Sequence, residues 1–125
     1  MPDPVSTDRA PKAIGPYTQA IRANGFIFVS GQIAIDPATN QFIGGDTVTQ
    51  TNRVLENLRA IVEAAGSSMD RVVKTTVYLE DIADFPVMNE IYARYFPGTP
   101  PARATIEAAA LPRGARIEID LIALA

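Results

Sequence analysis

The chain has 125 residues, 47% hydrophobic and 20% charged, which is typical of one globular domain with a single core and not of a disordered chain. Its net charge of −3 disfavours a nucleic-acid partner, because proteins that bind the phosphate backbone concentrate Lys and Arg. These residues include no Cys and no His, which excludes disulfides, thiolate chemistry, the Ser-His-Asp triad and nearly every zinc site. Any proton transfer must therefore use Asp, Glu, Lys, Tyr or bound water.

The N-terminal sequence predicts neither a secretory signal nor a membrane anchor. Residues 1–13 contain prolines and acidic residues but no apolar segment, and we expect them to form a loosely held arm. No apolar run in the chain approaches the roughly 18 residues that a membrane span needs. A cytoplasmic protein without a membrane partner is the expectation.

After the arm, alternating apolar residues predict two short strands, 17–22 and 26–30, joined by the hairpin turn pair Asn24-Gly25. A short extended piece follows in "GQIAIDPATNQFIGG", with turns at Asp36-Pro37 and Gly44-Gly45.

Helical spacing of apolar residues over 48–65 predicts the first helix. Either Asp46 or a capping box formed by Thr47 and Gln50 begins it, and Gly66 ends it.

The rest of the chain continues with a β-branched strand over 71–79 and then a second helix. This helix begins at Asp84-Phe85-Pro86 and runs to about residue 96. Two more strands, 102–108 and 116–124, give the order β-β-α-β-α-β-β. The prediction is a single α/β (α+β) domain over residues 1–125, with two helices on one face of a mixed sheet.

The predicted strands are apolar on both faces. Phe26 and Phe28 lie on one side of their strand, and Ile27 and Val29 lie on the other. Two helices cover only one face, so we expect a second copy of the chain to cover the other in a closed symmetric oligomer. The alternatives are a smaller sheet, or one that the N-terminal arm covers.

The segment "PARATIE" places a cation in the middle of a strand. If the last two strands pair antiparallel with Thr105 opposite Glu118, then Arg103 lies opposite Asp120, on the face away from the helices. A cross-strand ion pair with Asp120 or Glu118 is the simpler interpretation and is favoured on spacing alone. The alternative is that the guanidinium holds the carboxylate of a ligand in a bidentate pair.

Other polar residues occur in places where they are candidates for a binding site. Asn89 falls on the apolar face of the second helix, where a buried amide needs hydrogen-bond partners from a loop or a ligand. Ser30 and Gly31 end an apolar strand and are more often a turn than a site. Tyr17 is more often a core residue than a ligand-binding one.

Several separated motifs together resemble the RidA (YjgF) family, from about residue 11 to the end of the chain. They are "IGPYTQAI", "VSGQIAID", "LENLRAIVEAAG", "VVKTTVYLEDIADFPVMNEIYARYF", "PPARATIE" and "LPRGARIEIDLIA". The resemblance implies a chorismate-mutase-like fold and a homotrimer with ligand pockets between subunits. It implies hydrolysis of reactive enamines and imines, chiefly 2-aminoacrylate and 2-iminopropanoate, to 2-keto acids and ammonia. Pyridoxal-phosphate-dependent dehydratases release these substrates, and no cofactor or metal is expected.

The resemblance also assigns roles to individual positions. The family's carboxylate-binding arginine falls on Arg103, and the acid that orders the attacking water falls on Glu118. The remaining substrate-binding positions fall on Tyr17, Ser30, Gly31, Asn89 and Thr105. Thr105 stands where some members carry cysteine, which affects the expected thiol modification and leaves the hydrolysis itself unaffected.

Three other functions are alternatives. The same cleft would suit a regulatory module that binds 2-keto acids or amino acids, or a pathway-specific deaminase of a larger imine. A ribonuclease or translation inhibitor is disfavoured by the acidic composition, by the lack of histidine and by the lack of a basic-aromatic patch.

Overall fold

A computed structural model describes residues 2–125 and contains a six-stranded mixed sheet, a two-stranded sheet and two α-helices. The first half of the chain contains β1 (Asp3–Val5), β2 (Ala20–Ala23), β3 (Phe26–Gln32), β4 (Ile35–Asp36), β5 (Gln41–Phe42) and α1 (Thr47–Ala64). The second half contains β6 (Val72–Leu79), α2 (Phe85–Tyr95), β7 (Ala102–Glu107) and β8 (Ile117–Leu124). The predicted helices and main strands are present, and β4 lies in the predicted short extended piece, whereas β1 and β5 were not predicted.

The strand order of the main sheet is β1-β2-β3-β8-β6-β7. The last strand, β8, lies between β3 and β6 and is antiparallel to both, whereas β7 pairs with β6 in parallel at the sheet edge. The predicted antiparallel pair between residues 102–108 and 116–124 is therefore wrong. The α2 crossover explains the observed pairing, because a strand-helix-strand unit brings the second strand back parallel to the first, here β7 beside β6.

Both helices cover the same face of the main sheet. Val54, Leu58 and Ile61 of α1 are fully buried in one core with Val77 of β6 and Ile119 of β8. Successive side chains of a strand alternate between faces, so Glu118 and Asp120, the neighbours of Ile119, belong to the uncovered face.

The ends of the helices follow from local chemistry. The side chain of Asp46 caps α1 by accepting a hydrogen bond from the backbone N–H of Thr49 at 2.9 Å. Gln50 completes no capping box, because its amide oxygen accepts instead from the backbone N–H of Arg116 at 2.9 Å. Gly66 ends α1 with a φ of 88°, a conformation that glycine adopts without strain.

The predicted hairpin is confirmed. Asn24 and Gly25 both have positive φ, 54° and 81°, as a two-residue turn of this type requires.

The N-terminal arm is packed against the sheet, so the expectation that residues 1–13 are loosely held is wrong for most of their length. Strand β1 pairs with β2, and Ala10 is only 1% exposed. The amide of Gln19 explains this packing: its oxygen accepts from the N–H of Thr7 at 2.7 Å, and its nitrogen donates to the carbonyl oxygens of Thr7, Ala10 and Pro11. After β1 the arm forms no backbone hydrogen bonds to a neighbouring strand of the described chain, and the buried Gln19 side chain bonds its backbone groups instead.

The second face of the main sheet has no covering layer within residues 2–125. Phe28 is 44% exposed there, and Ile106 is 48% exposed. The side chains beside them include Phe26 and Leu124, so the exposed patch is apolar. No helix of the described chain has the length and hydropathy needed to cross a lipid bilayer.

Candidate functional site

Arg103 lies on the helix-covered face of edge strand β7. Its backbone pairs with Thr75 of β6, and its guanidinium carbon is 4.8 Å from the ring centroid of Tyr92 and 5.3 Å from that of Phe85, both in α2. The prediction that Arg103 faces away from the helices is therefore wrong. Parallel pairing with β6 puts it on the same face as Thr75, which is buried beneath α2.

The guanidinium of Arg103 forms no ion pair or hydrogen bond with any side chain of residues 2–125. The salt bridges of the described chain involve other arginines, and the predicted alternative partner Asp120 instead accepts a hydrogen bond from the Tyr78 hydroxyl at 3.1 Å. The ion-pair interpretation of Arg103 is thus wrong. Stacking on two aromatic faces holds the cation in place and leaves its donors available for a ligand.

The platform beneath Arg103 is itself fixed. The Tyr92 hydroxyl and the Thr75 hydroxyl lie 2.7 Å apart in a buried hydrogen bond. Burial raises the pKa of Tyr92, so the ring stays neutral and hydrogen-bonded at ordinary pH. A ring held in this way keeps one orientation for the guanidinium above it.

Asn89 and Thr105 lie beside Arg103. A cleft of about 490 Å³ is lined by Asn89, Tyr92, Phe96, Pro101 and Arg103, and we call it the Arg103 cleft. The amide of Asn89 has no hydrogen-bond partner within residues 2–125, so the alternative in which it bonds a loop carbonyl is not observed. The Thr105 hydroxyl is buried and also has no partner among these residues.

Glu118 belongs to a second cleft, of about 260 Å³, whose lining includes Lys12, Tyr17, Gly31, Arg113 and Glu118; we call it the Glu118 cleft. Burial raises the pKa of Glu118, and the nearby Asp120 carboxylate raises it further. A carboxyl group with a raised pKa can exchange protons with water near neutral pH more readily than an ordinary glutamate.

Gly31 brings the chain close to this carboxyl group. A Cβ atom added to Gly31 would lie 2.1 Å from Oε2 and 3.0 Å from Cδ of Glu118. Only glycine leaves room for the carboxyl group to lie over the backbone here. The backbone register of β3 against β8 shifts between Val29 and Gln32, which is where Gly31 approaches Glu118.

Tyr17 and Ser30 complete the predicted set on this side. Tyr17 is 50% exposed and lies before β2, so the expected strand start at residue 17 is wrong. The hydroxyl of Ser30 donates to the carbonyl of Thr18 at 2.6 Å, which anchors the segment that carries Tyr17. In this chain Ser30 supports the wall of the cleft.

The seven predicted residues therefore form two groups that one chain does not bring together. Arg103, Asn89 and Thr105 are on or beside the helix-covered face, whereas Glu118 lies on the opposite face. Arg103 pairs with Thr75 of β6, and Glu118 pairs with Tyr78 of the same strand. Positions 75 and 78 are an odd number of residues apart, so their side chains lie on opposite faces, and the sheet separates Arg103 from Glu118. The predicted position of Glu118 across from Arg103 on one face is wrong.

Three contributors were not predicted as part of a site. Phe85 and Tyr92 were interpreted as core residues of the apolar helix face, although an arginine near the start of the next strand is a signal for stacking. Arg113 follows Pro112 and precedes Gly114, a turn pattern that indicates an exposed side chain.

Known proteins are similar to this chain over nearly its whole length. Residues 7–125 match the model of the family described as Endoribonuclease L-PSP. A mouse (Mus musculus) protein named 2-iminobutanoate/2-iminopropanoate deaminase is 49% identical over 120 residues, which cover 96% of this chain and 89% of that protein.

Solved structures of relatives have the same fold. The crystal structure of YyfA from Yersinia pestis, described as a protein of the conserved Rid family, is 45% identical, with a TM-score of 0.97 and 100% of each chain covered. The structure of E. coli TdcF with bound serine is 39% identical, with a TM-score of 0.93 and 98% of each chain covered. The resemblance indicated by the sequence motifs is thus confirmed, and this chain belongs to the RidA (YjgF) family.

Proposed function

We propose that this chain is an enzyme that hydrolyses reactive enamines and imines, such as 2-aminoacrylate and 2-iminopropanoate, to 2-keto acids and ammonia. The observation that carries the proposal is the unpaired guanidinium of Arg103, fixed on the rings of Phe85 and Tyr92. Relatives at about half identity bear the name of this deaminase, and a more distant one binds serine, an amino acid with the same carboxylate.

Arg103 is suited to hold the carboxylate of a 2-imino acid. Its planar fork can donate two parallel hydrogen bonds to a carboxylate, and the aromatic platform fixes the plane of the fork. The free amide of Asn89 provides a further donor in the same cleft. With the carboxylate fixed, the C=N carbon has a defined position relative to an attacking water.

Glu118 is suited to activate that water. An enamine first gains a proton on its CH2 carbon and loses one from its nitrogen, which gives the imine. Water then adds its oxygen to the C=N carbon and transfers one proton to the carboxylate of Glu118, which passes it to the nitrogen. The hydroxyl proton of the tetrahedral intermediate then moves to the nitrogen as the C–N bond breaks, which releases ammonia and leaves the C=O of the keto acid. The raised pKa of Glu118 favours both of its proton transfers, because a carboxyl group whose pKa lies above the ordinary glutamate value exchanges protons more readily near neutral pH.

The two groups of residues must meet in an assembly, because the sheet of one chain separates them. We propose a homotrimer in which the Arg103 cleft of one subunit faces the Glu118 cleft of the next. The apolar uncovered face, with Phe28 and Ile106 exposed, supports burial against other copies, and the outer edge of β7 has no strand partner within residues 2–125.

The proposal includes a physiological setting. Pyridoxal-phosphate-dependent dehydratases acting on serine and threonine release the enamines, and this protein removes them in the cytoplasm. The reaction also proceeds in water alone, so the enzyme supplies a modest acceleration of a step whose substrate is harmful. It needs no cofactor for this, since positioning and proton transfer are sufficient.

The test couples the purified protein to serine or threonine dehydratase and follows the release of pyruvate or 2-ketobutyrate. We expect faster release with the wild type and little acceleration with Arg103→Ala. Arg71→Gln serves as the matched control, because it removes the same charge from an exposed residue that lines neither cleft. No acceleration over buffer, or full acceleration by Arg103→Ala, would remove the proposal.

The assay also separates the alternatives. A regulatory module would bind a 2-keto acid without accelerating imine loss. A deaminase of larger imines would turn over bulky imino acids faster than small ones.

A further inference from the structure

Two cations lie at the Glu118 cleft that none of the predicted roles uses. Lys12 comes from the N-terminal arm, and Arg113 comes from the turn before β8; both side chains are exposed, and both line the cleft. Neither forms a salt bridge with residues 2–125, whereas four other arginines of the described chain do. Their charges are therefore not compensated by neighbours in their own chain.

The backbone holds Arg113 in an unusual conformation. Its φ of 57° and ψ of 21° lie in the left-handed region, which disfavours residues with a Cβ atom. Glycine would adopt this conformation without strain, and Gly114 beside it has a φ of 66°. An arginine kept at a position that favours glycine indicates a role for its side chain.

Lys12 is also held in place. Its backbone N–H donates to the side-chain oxygen of Asn40 at 3.0 Å, and the carbonyl of the preceding Pro11 accepts from Gln19 at 2.7 Å. These two bonds tie the arm on both sides of the Lys12 backbone and fix where the side chain leaves the chain. The base of the Lys12 side chain is therefore fixed beside the cleft.

The charges of Lys12 and Arg113 oppose the negative charge around Glu118. The chain has a net charge of −3, and the cleft contains Glu118 with Asp120 on the same face behind it. An anionic substrate approaching that site would be repelled by both carboxylates. Two cations at the mouth offset this repulsion and increase the local concentration of anions.

We propose that Lys12 and Arg113 form a cationic rim that attracts anionic imino acids to the Glu118 cleft and selects them over uncharged imines. This inference rests on the proposed function for the identity of the substrate, but the rim would also act on the 2-keto acid product. It adds two specificity-determining residues to the site, and neither takes part in the proton transfers.

The size of the effect follows from Coulomb's law. One unit charge about 8 Å from the substrate carboxylate in water changes its local concentration about twofold. Removing both cations is therefore expected to weaken anion binding about fivefold at low ionic strength. Because the rim is exposed, salt at about 0.5 M should abolish the difference.

The test uses the variant Lys12→Met/Arg113→Gly and does not depend on turnover. Arg113→Gly removes the charge and relieves the left-handed strain, so the variant is expected to fold. Binding of pyruvate and of the uncharged pyruvamide is measured by NMR titration at low and high salt. Arg71→Gln controls for net charge, and Arg113→Lys in an otherwise wild-type chain tests whether charge alone suffices.

We expect weaker pyruvate binding in the double variant at low salt only, unchanged pyruvamide binding, and wild-type affinity for both Arg71→Gln and Arg113→Lys. The inference is overturned if pyruvate binding is unchanged at low salt, if the loss persists at high salt, or if pyruvamide is affected equally. A wild type that binds pyruvate with this salt dependence but does not accelerate imine hydrolysis would refute the proposed function and leave the rim intact.

Discussion

The separation of Arg103 from Glu118 makes a mixing experiment decisive. One chain presents Arg103 on the helix-covered face and Glu118 on the opposite face, so a site that uses both must combine two chains. We therefore expect two inactive variants, Arg103→Ala and Glu118→Gln, to regain activity when they assemble together. At a site between the two variants, the Glu118→Gln chain supplies an intact Arg103 and the Arg103→Ala chain supplies an intact Glu118.

The expected magnitude follows from this placement. Truncating one partner of a hydrogen-bonded charge pair costs about 3 kcal/mol, so Arg103→Ala alone is expected to lose about 100-fold in kcat/KM. In a random equal mixture, about one site in four receives Arg103 from a Glu118→Gln chain and Glu118 from an Arg103→Ala chain. The unfractionated mixture should therefore reach about a quarter of the wild-type rate, and mixed oligomers isolated from it about a third, because one of the three sites in each mixed trimer of the proposed assembly is intact.

The assay is the coupled release of pyruvate, with the two variants mixed by joint refolding and the mixed oligomers isolated through two different tags. The control mixes Arg103→Ala with the double variant Arg103→Ala/Glu118→Gln, which supplies no intact Arg103. Mixed oligomers that form but stay as inactive as the separate variants would refute the reasoning, because both residues would then act within one chain or in separate sites.

Three further predictions test individual residues. Gly31→Ala should lower kcat on the order of 100-fold, because the new Cβ would lie 2.1 Å from Oε2 of Glu118 and would displace the carboxyl group. The Glu118 side chain can rotate away, so the midpoint of thermal denaturation should change little, and a large fall in that midpoint would argue against this explanation. The acid limb of the kcat/KM profile should lie above the pH where an ordinary glutamate titrates, because the pKa of Glu118 is raised and its carboxylate is therefore protonated at a higher pH. Asp120→Asn removes one cause of the raised pKa and should shift this limb to lower pH, and an unmoved limb would contradict the assignment. Gln19→Leu should lower the free energy of unfolding by about 3 kcal/mol in urea denaturation, because it leaves buried backbone groups of the arm unpaired; a change within about 0.5 kcal/mol would show that the arm contributes little.

The helices and the first hairpin were predictable because their signals are local. Asp46 and Gly66 mark the ends of α1. Asn24-Gly25 determines the hairpin turn between β2 and β3 without contacts from the rest of the chain. The apolar second face of the sheet was predictable in the same way, from the alternation around Phe28.

Strand pairing was not predictable from the last two strands taken alone. Neighbours in sequence usually pair, but β7 and β8 have β6 between them, and this error put Arg103 on the wrong face. The signal that corrects it was present, because a strand, a helix and a strand in succession favour a parallel pair. The packing of the arm depends on one buried amide, Gln19, whose four contacts no local pattern reveals.

The position of β8 has a consequence for how the protein matures. Of the six strands of this sheet, the one synthesised last joins its two halves, β1-β2-β3 on one side and β6-β7 on the other. Until those residues leave the ribosome, two incomplete sheets each expose an apolar edge strand, β3 or β6, to the cell. Chains truncated before Ile117 are therefore expected to aggregate and to show no partial activity.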